Sequence, residues 1–321
     1  MDEFTFIDSI TQHSYKQKSL LKGIGDDAAV FRQPVKDIVT AVDTFVDGIH
    51  FTKDTMESFH IGYRALAANL SDIAAMGASP AFYLVSIVIP KDWSETGLKQ
   101  IFSGMKVMAD RYHVDLIGGD TVSGAELSIA ITVIGYVEKG KARYRDAARA
   151  DDIVFVTGTL GDARAGLHVL THREDYHDAD YYIERHRMPS PRLNFAGCLA
   201  ELKRVALNDI SDGIANEAAE IAVASQVNMV IYDHLVPVSA SYHQFPEQLK
   251  HEWKYFGGED FELLGTVHQD DWQAVKDIAV QTNTRLTKIG YVSSDKNNGQ
   301  VFLNKDNVLR KLKKWGYSHL K

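Results

Sequence analysis

Three runs rich in Val and Ile, DIVTAVD, FYLVSIVIP and ELSIAITVIGYVE, fall between residues 37 and 138 and are closed by Asp, Pro or Gly, which predicts strands. Between them, Phe59, Tyr63, Leu66, Leu70 and Ile73, and then Leu98, Ile101, Phe102, Met105 and Ala109, recur at helical spacings. The first helix is expected over 57–76, where YRALAANLSDIAAMGA is rich in small residues suited to close packing. Asn69 and Asp72, three apart, are expected on one surface where both could meet a ligand. The polar, basic segment KGKARYRDAARADD lacks an apolar period and precedes a new strand, DIVFVTG, so it marks a domain boundary. Beyond it, helices are expected near 161–170, 190–203 and 213–225 and strands near 228–233 and 286–292, with THREDYHDADYY a loop or helix start.

Composition narrows the class. With 321 residues, 45% hydrophobic and 24% charged, the chain can fold as two domains of ordinary size, and no run is long and apolar enough for a membrane span. The acidic start MDEFTFIDSI lacks a secretory signal's basic and apolar regions, which predicts a cytoplasmic protein. Cys198 is the only cysteine, so an intrachain disulfide and a cysteine zinc cluster are excluded; its helical setting, LNFAGCLAEL, predicts packing rather than nucleophilic chemistry. A net charge of -8 argues against broad electrostatic binding of nucleic acid, and the basic LRKLKKWGYSHLK stretch is local.

The candidate chemistry lies in carboxylates. Asp26 and Asp27 follow Gly25 in GIGDDAAV; Asp43 and Asp47 lie in VDTFVDG; Asp120 closes DLIGGD; Asp209 and Asp212 sit in NDISDG; Glu259 and Asp260 stand in FGGED. Most sit beside glycine, where backbone can approach a ligand closely. If these like charges converge, their repulsion must be offset, and the neighbouring sequence offers too few Arg and Lys to do it. Hard divalent cations with oxygen ligands, the magnesium pattern often shared with nucleotide phosphates, offset it economically. Neither G-x-x-x-x-G-K-[ST] nor a strand-to-helix G-x-G-x-x-G is present, nor an H-E-x-x-H zinc helix.

In order and interval, GIGDDAAV, VDTFVDGIHF, NLSDIAAMGASP, LIGGDT, DISDG and GGEDFELL resemble the thiamine-monophosphate kinase family, within the aminoimidazole ribonucleotide synthetase-like ATP-binding superfamily. The resemblance implies a two-domain α/β (α+β) fold: residues 1–140 forming an ATP- and Mg-binding dimerisation domain whose strands build a β-barrel across a homodimer, and residues 150–321 a C-terminal α/β domain completing the site. It implies magnesium-dependent transfer of the ATP γ-phosphoryl group to thiamine monophosphate, with no covalent nucleophile on the protein and no nucleic-acid or membrane partner. Several Mg2+ ions are expected on Asp27, Asp43, Asp72, Asp120, Asp209 and Asp212, with Asp26 the weaker member of its pair and a K+ requirement left open. ATP is expected on Tyr112, Gly119, Asp120, Arg145 and Ser211, and thiamine monophosphate on His50, Glu259 and Tyr317, with Trp315 competing for the thiazolium ring. Where the family often reads Ser-Thr-Asp-Thr this chain has AVDT, so Ala41 and Val42 could ligate only through backbone carbonyls. A purine-precursor synthetase of the same superfamily, a non-catalytic nucleotide- or thiamine-phosphate-binding protein and a magnesium-dependent phosphohydrolase are the alternative readings.

Overall fold

A computed structural model describes residues 10, 12, 14–22, 30–32, 35–172, 174–294 and 299–313. The chain divides into two compact units: one built from residues up to Ile73 with Ala78–Gly140, the other from Ala74–Gly77 and the chain from Lys141 onward.

The first unit contains β1 (Leu20–Lys22), β2 (Val30–Phe31), β3 (Lys36–Val46), α1 (Ser58–Ala75), β4 (Ser79–Ile89), α2 (Glu95–Tyr112), β5 (Asp115–Ser123) and β6 (Ser128–Glu138). Among the described residues, β3, β6, β4 and β5 form a sheet in that order, antiparallel except for the parallel β4–β5 pair, so β3 and β5 are its edges. In β6 the burial alternates, and Ile129, Ile131 and Val133 are fully buried, as one covered face requires. α2 is capped by the Ser94 side chain, which accepts from the Gly97 amide, and ends at His113 in the left-handed conformation. α1 and α2 approach through glycine: a methyl at Gly104 would lie 2.8 Å from the Tyr63 nitrogen, and one at Gly62 would lie 2.6 Å from the Ile101 carbonyl carbon. Only glycine allows such backbone contact between two helices.

The sequence pattern predicts no strand at DLIGGD, yet it lies in β5, and Asp120 falls inside that strand. Gly119 explains the pairing, because any Cβ there would collide with the Val85 backbone on β4. The segment of residues 23–29, with Asp26 and Asp27, lies outside the described residues.

The second unit contains β7 (Ile153–Thr157), α3 (Asp162–Thr171), α4 (Ala179–Arg187), α5 (Leu193–Cys198), β8 (Val205–Asp209), α6 (Ile214–Ser225), β9 (Asn228–Tyr232), α7 (Glu247–Phe256), β10 (Leu263–Val267), α8 (Trp272–Gln281), β11 (Leu286–Ser293), β12 (Val301–Lys305) and β13 (Val308–Lys311). Among the described residues its sheet runs β13-β12-β9-β11-β7-β10-β8. Every residue of β7, β8 and β10 is buried, and one core cluster draws on β7, β8, β10 and α6. The helix expected over 190–203 is shorter, ending at Cys198 before a 3₁₀ turn over Leu199–Glu201, and Cys198 is half-buried rather than fully packed.

Candidate functional site

In the first unit the candidates fall at three places. Asp43 on β3 and Asp72 on α1 are half-buried, and the link between their elements is Asn69. Its side chain is fully buried; Oδ1 accepts from the Asp43 amide at 3.0 Å and Nδ2 donates to the Ala65 carbonyl at 2.9 Å. Asn69 therefore fastens β3 to α1 instead of facing a ligand beside Asp72. His50 follows on the turn after β3: its Nδ1 accepts from the Val46 amide at 3.1 Å, its ring lies 5.1 Å from that of Phe45, and the bond to Nδ1 leaves the proton of the neutral ring on Nε2.

Gly119 and Asp120 occupy the other edge of the sheet. Asp43, Ile131, Val85 and Gly119 share one register row, so three strand spacings, about 14 Å, separate Asp43 from Gly119. Asp120 is exposed, and its Oδ1 accepts from the Thr121 amide at 3.0 Å. Tyr112 ends α2, with the Arg111 guanidinium 5.5 Å from its ring, and precedes β5, so five strand residues, about 16 Å, lie between the start of β5 and Asp120. Within this unit Tyr112, Asp120 and Asp43 are not neighbours.

The second unit draws more candidates together. Asp209 ends β8 at 4% exposure, and the turn Ile210–Gly213 leads into α6. There the Glu217 carboxylate, at 1% exposure, accepts through Oε1 from the Asp212 amide at 3.0 Å and from Asn216 Nδ2 at 3.3 Å, while its Oε2 has no hydrogen-bond partner among the described residues. Burial, with Asp209 adding to it, pushes the Glu217 carboxyl up to about 8. Arg145, which could have been a solvated linker residue, instead donates from Nε to Asn208 at 3.0 Å and pairs through Nη1 with Glu220 at 3.0 Å.

The GGED segment runs back to back with this turn. Glu259 donates its amide to the Ser211 carbonyl at 2.7 Å, Phe261 donates to Ile210 at 3.0 Å, and Ile210 donates to Glu262 at 2.7 Å. Glu259 and Phe261 are both left-handed, at φ 71 and 50, a conformation that costs a side-chain-bearing residue about 1–2 kcal/mol. Between them Asp260 is buried and accepts from the Gly161 amide at 2.6 Å and the Ala163 amide at 3.1 Å. Burial pushes its carboxyl up to about 7 against the pull of Arg185 and these amides. Next to it the fully buried Glu262 accepts from Thr157, Arg185 and Arg192 at 2.7, 2.9 and 2.6 Å. Burial alone would raise Glu262, but Arg192 and Arg185 outweigh it and hold the carboxyl below its ordinary value.

As a donor set these groups suit magnesium: the expected ligands supply hard carboxylate oxygen only, and a buried carboxylate oxygen stands unpartnered beside Asp212. Among the described residues no three His, Cys, Asp or Glu side chains form a ready-made metal cluster. Asp27, Trp315 and Tyr317 lie outside the described residues. Asn208, Glu217 and Glu220 escaped sequence reasoning; the available signal was the acidic first turn that Glu217 gives α6 directly after DISDG.

The AIR synthase related protein N-terminal domain model matches residues 25–137 and its C-terminal domain model residues 149–301. Thiamine-monophosphate kinase of Bacillus subtilis (strain 168) is 44% identical over 328 residues, covering 100% of both chains. The enzyme of that name from Escherichia coli (strain K12) is 38% identical, covering 85% of this chain and 84% of its own. The crystal structure of thiamine-monophosphate kinase from Stenotrophomonas maltophilia K279a superposes with a TM-score of 0.85 at 32% identity, over 96% of this chain and 98% of that one. AaThiL complexed with AMPPCP and TMP gives 0.76 at 30%, over 90% and 92%. The hydrogenase maturation protein HypE in complex with ATP, at 19% identity and a TM-score of 0.80, shares the fold.

Proposed function

Because the chain belongs to the thiamine-monophosphate kinase family of AIR synthase related proteins, we propose that it transfers the γ-phosphoryl group of ATP to the phosphate of thiamine monophosphate, giving thiamine diphosphate and ADP. The observation that carries this reading is 44% identity to a thiamine-monophosphate kinase along the whole of both chains. Such transfer asks little covalent chemistry of a protein; alignment and neutralisation of phosphate charge supply most of the effect.

Asp27, Asp43, Asp72, Asp120, Asp209 and Asp212 would hold magnesium, which supplies the positive charge that the phosphates need. Tyr112, Gly119, Asp120, Arg145 and Ser211 take the ATP role. Arg145 is held ready by Asn208 and Glu220. His50, Glu259 and Tyr317 take the thiamine monophosphate role. The His50 tautomer suits a phosphate oxygen, since Nε2 carries the donor hydrogen.

The working form in this reading is a cytoplasmic homodimer. Asp43 and Asp120 lie on the two edge strands of one sheet, and Ile38, Val42 and Val122 on those strands are 55%, 61% and 44% exposed. Joining the β3 edge to the β5 edge of a second copy would close a barrel, remove both open edges and bring Asp43 towards Asp120 of the partner subunit.

Incubating the protein with ATP, magnesium and thiamine monophosphate tests the reading. Thiamine diphosphate should appear one for one with ADP and vanish with chelator. Free phosphate without diphosphate would identify a hydrolase, and no turnover would return attention to purine-precursor synthetases or a binding role.

A further inference from the structure

The GGED segment carries two adjacent carboxylates, and the reading above uses only Glu259. Asp260 is turned the other way, into the protein, and at 1% exposure it has no access to a substrate. We propose that Asp260 is a positioning residue, whose carboxylate bridges the amides of Gly161 and Ala163 and so holds Glu259 where thiamine monophosphate is bound. This rests on the assignment of Glu259 to that substrate.

The geometry carries the argument in three steps. Two consecutive-but-one residues, Glu259 and Phe261, are in the left-handed region, where only surrounding bonds can keep side-chain-bearing residues. Asp260 sits between them, and its side chain is anchored with one oxygen on each of two amides about 100 positions earlier in the chain. That anchorage leaves the Glu259 and Phe261 amides facing Ser211 and Ile210, which accept from them. By contrast the Asp212 end of that turn has its own support in Glu217, so loosening GGED should disturb the thiamine monophosphate side far more than the ATP side.

Both carboxylate oxygens serve as acceptors, so protonating Asp260 or replacing it by Asn removes one of the two anchors while preserving shape. The charged and titratable groups around it are Asp162 on α3, Arg185 on α4, Tyr242 on the 3₁₀ turn Ala240–Gln244, and Glu262, which shares Arg185 with it. With burial opposed by Arg185, the group titrates near neutrality, and acidification of the native enzyme should reproduce what Asp260→Asn does at every pH.

The experiment compares native enzyme and Asp260→Asn between pH 6 and 8.5, varying each substrate in turn. At pH 8 the variant should show KM for thiamine monophosphate raised about tenfold, about 1.4 kcal/mol, with kcat and KM for ATP within about twofold. In native enzyme the same KM should rise below about pH 7, and the ratio of variant to native KM should shrink towards one. The phosphate of the substrate titrates in both enzymes and cancels from that ratio. Equal rises in both KM values, or a ratio independent of pH, would assign Asp260 a merely structural role and overturn the proposal. Amide hydrogen exchange decides it separately: Glu259 and Phe261 should exchange at least tenfold faster in Asp260→Asn, and unchanged exchange there refutes the positioning role. If native enzyme does not convert thiamine monophosphate at all, the functional reading fails, and the exchange result still decides whether Asp260 fixes the segment.

Discussion

Replacing Gly104 by Ala sets two rules against each other. Glycine inside a helix is about 1 kcal/mol less favourable than alanine, so propensity alone predicts that Gly104→Ala stabilises α2. The structure predicts the reverse, because the new methyl would lie 2.8 Å from the Tyr63 nitrogen and 2.9 Å from the Phe59 carbonyl carbon, and nearer still to the Phe59 oxygen. These are backbone atoms of a neighbouring helix and cannot rotate away. Restoring ordinary contact of about 3.4 Å requires the helices to part by about 1 Å or more, a gap that forfeits a quarter to a half of the dispersion energy at the seam. Both helices are well packed, with Leu98, Ile101 and Met105 on α2 and Ile61 and Leu66 on α1 all at 0–1% exposure. Overpacking of this kind costs about 1–3 kcal/mol where side chains can adjust, and here it falls at or above the upper end. Subtracting the propensity gain leaves a net loss of about 2 kcal/mol, or about 4–8 °C in Tm. Urea and thermal unfolding of Gly104→Ala, Gly62→Ala and the double variant provide the assay. Since one methyl already parts the helices, the double variant should lose clearly less than the sum of the two single losses. A higher Tm in either single variant, or strict additivity, would refute backbone contact at this crossing.

Glu262→Gln should cost about 3–5 kcal/mol in urea unfolding, because it leaves Arg185 and Arg192 half-buried without their carboxylate; a loss below about 1 kcal/mol would contradict that pairing. His168 packs among His172, Tyr176, Phe245 and Trp253, where burial, and then His172, hold its ring below the ordinary 6.5. A depressed pKa means that the unfolded chain takes up the proton first, so this contribution is complete above pH 6.5 and lost as pH falls through the lower folded value. His168→Gln should therefore flatten the stability profile below pH 6.5, and an unchanged slope would exclude His168 as its source. Asp212→Asn and Asp27→Asn should each cut turnover at least a hundredfold at ordinary magnesium while the circular dichroism spectrum persists; full activity in either would remove that residue from the ligand set.

Local pattern carried much of the fold. β4, β6 and α2 announce themselves because apolar residues recur on a covered face at the period the geometry demands, and α1 keeps that apolar period although it is buried all round from Ile61 to Ser71. β5 was harder to read because Gly118 and Gly119 look like a turn, whereas Gly119 is there because a Cβ would collide with the Val85 backbone on the paired strand β4. Glycine-flanked carboxylates made the candidate site visible, yet their supports were not. Asn69 resembles a ligand on its helix until β3 is seen against it, and the partners of Asp260 and Glu262 lie at Gly161, Ala163, Thr157, Arg185 and Arg192, remote in sequence. Nothing in a local window announces bonds that close loops of 70 to 105 residues.

The strand order of the second unit also constrains how a growing chain can reach this structure. β10 is inserted between β7 and β8, although it follows both in sequence. From the end of β8 at Asp209 to the start of β10 at Leu263, about fifty residues must leave the ribosome, taking about 3–10 s at 5–20 residues per second. Throughout that interval the apolar runs IVFVT and VALND lack the strand that joins them, and their unsatisfied edges are open to other nascent chains. Yield of active protein should therefore depend on elongation speed and holding chaperones at this stage of synthesis, even where the finished molecule is stable.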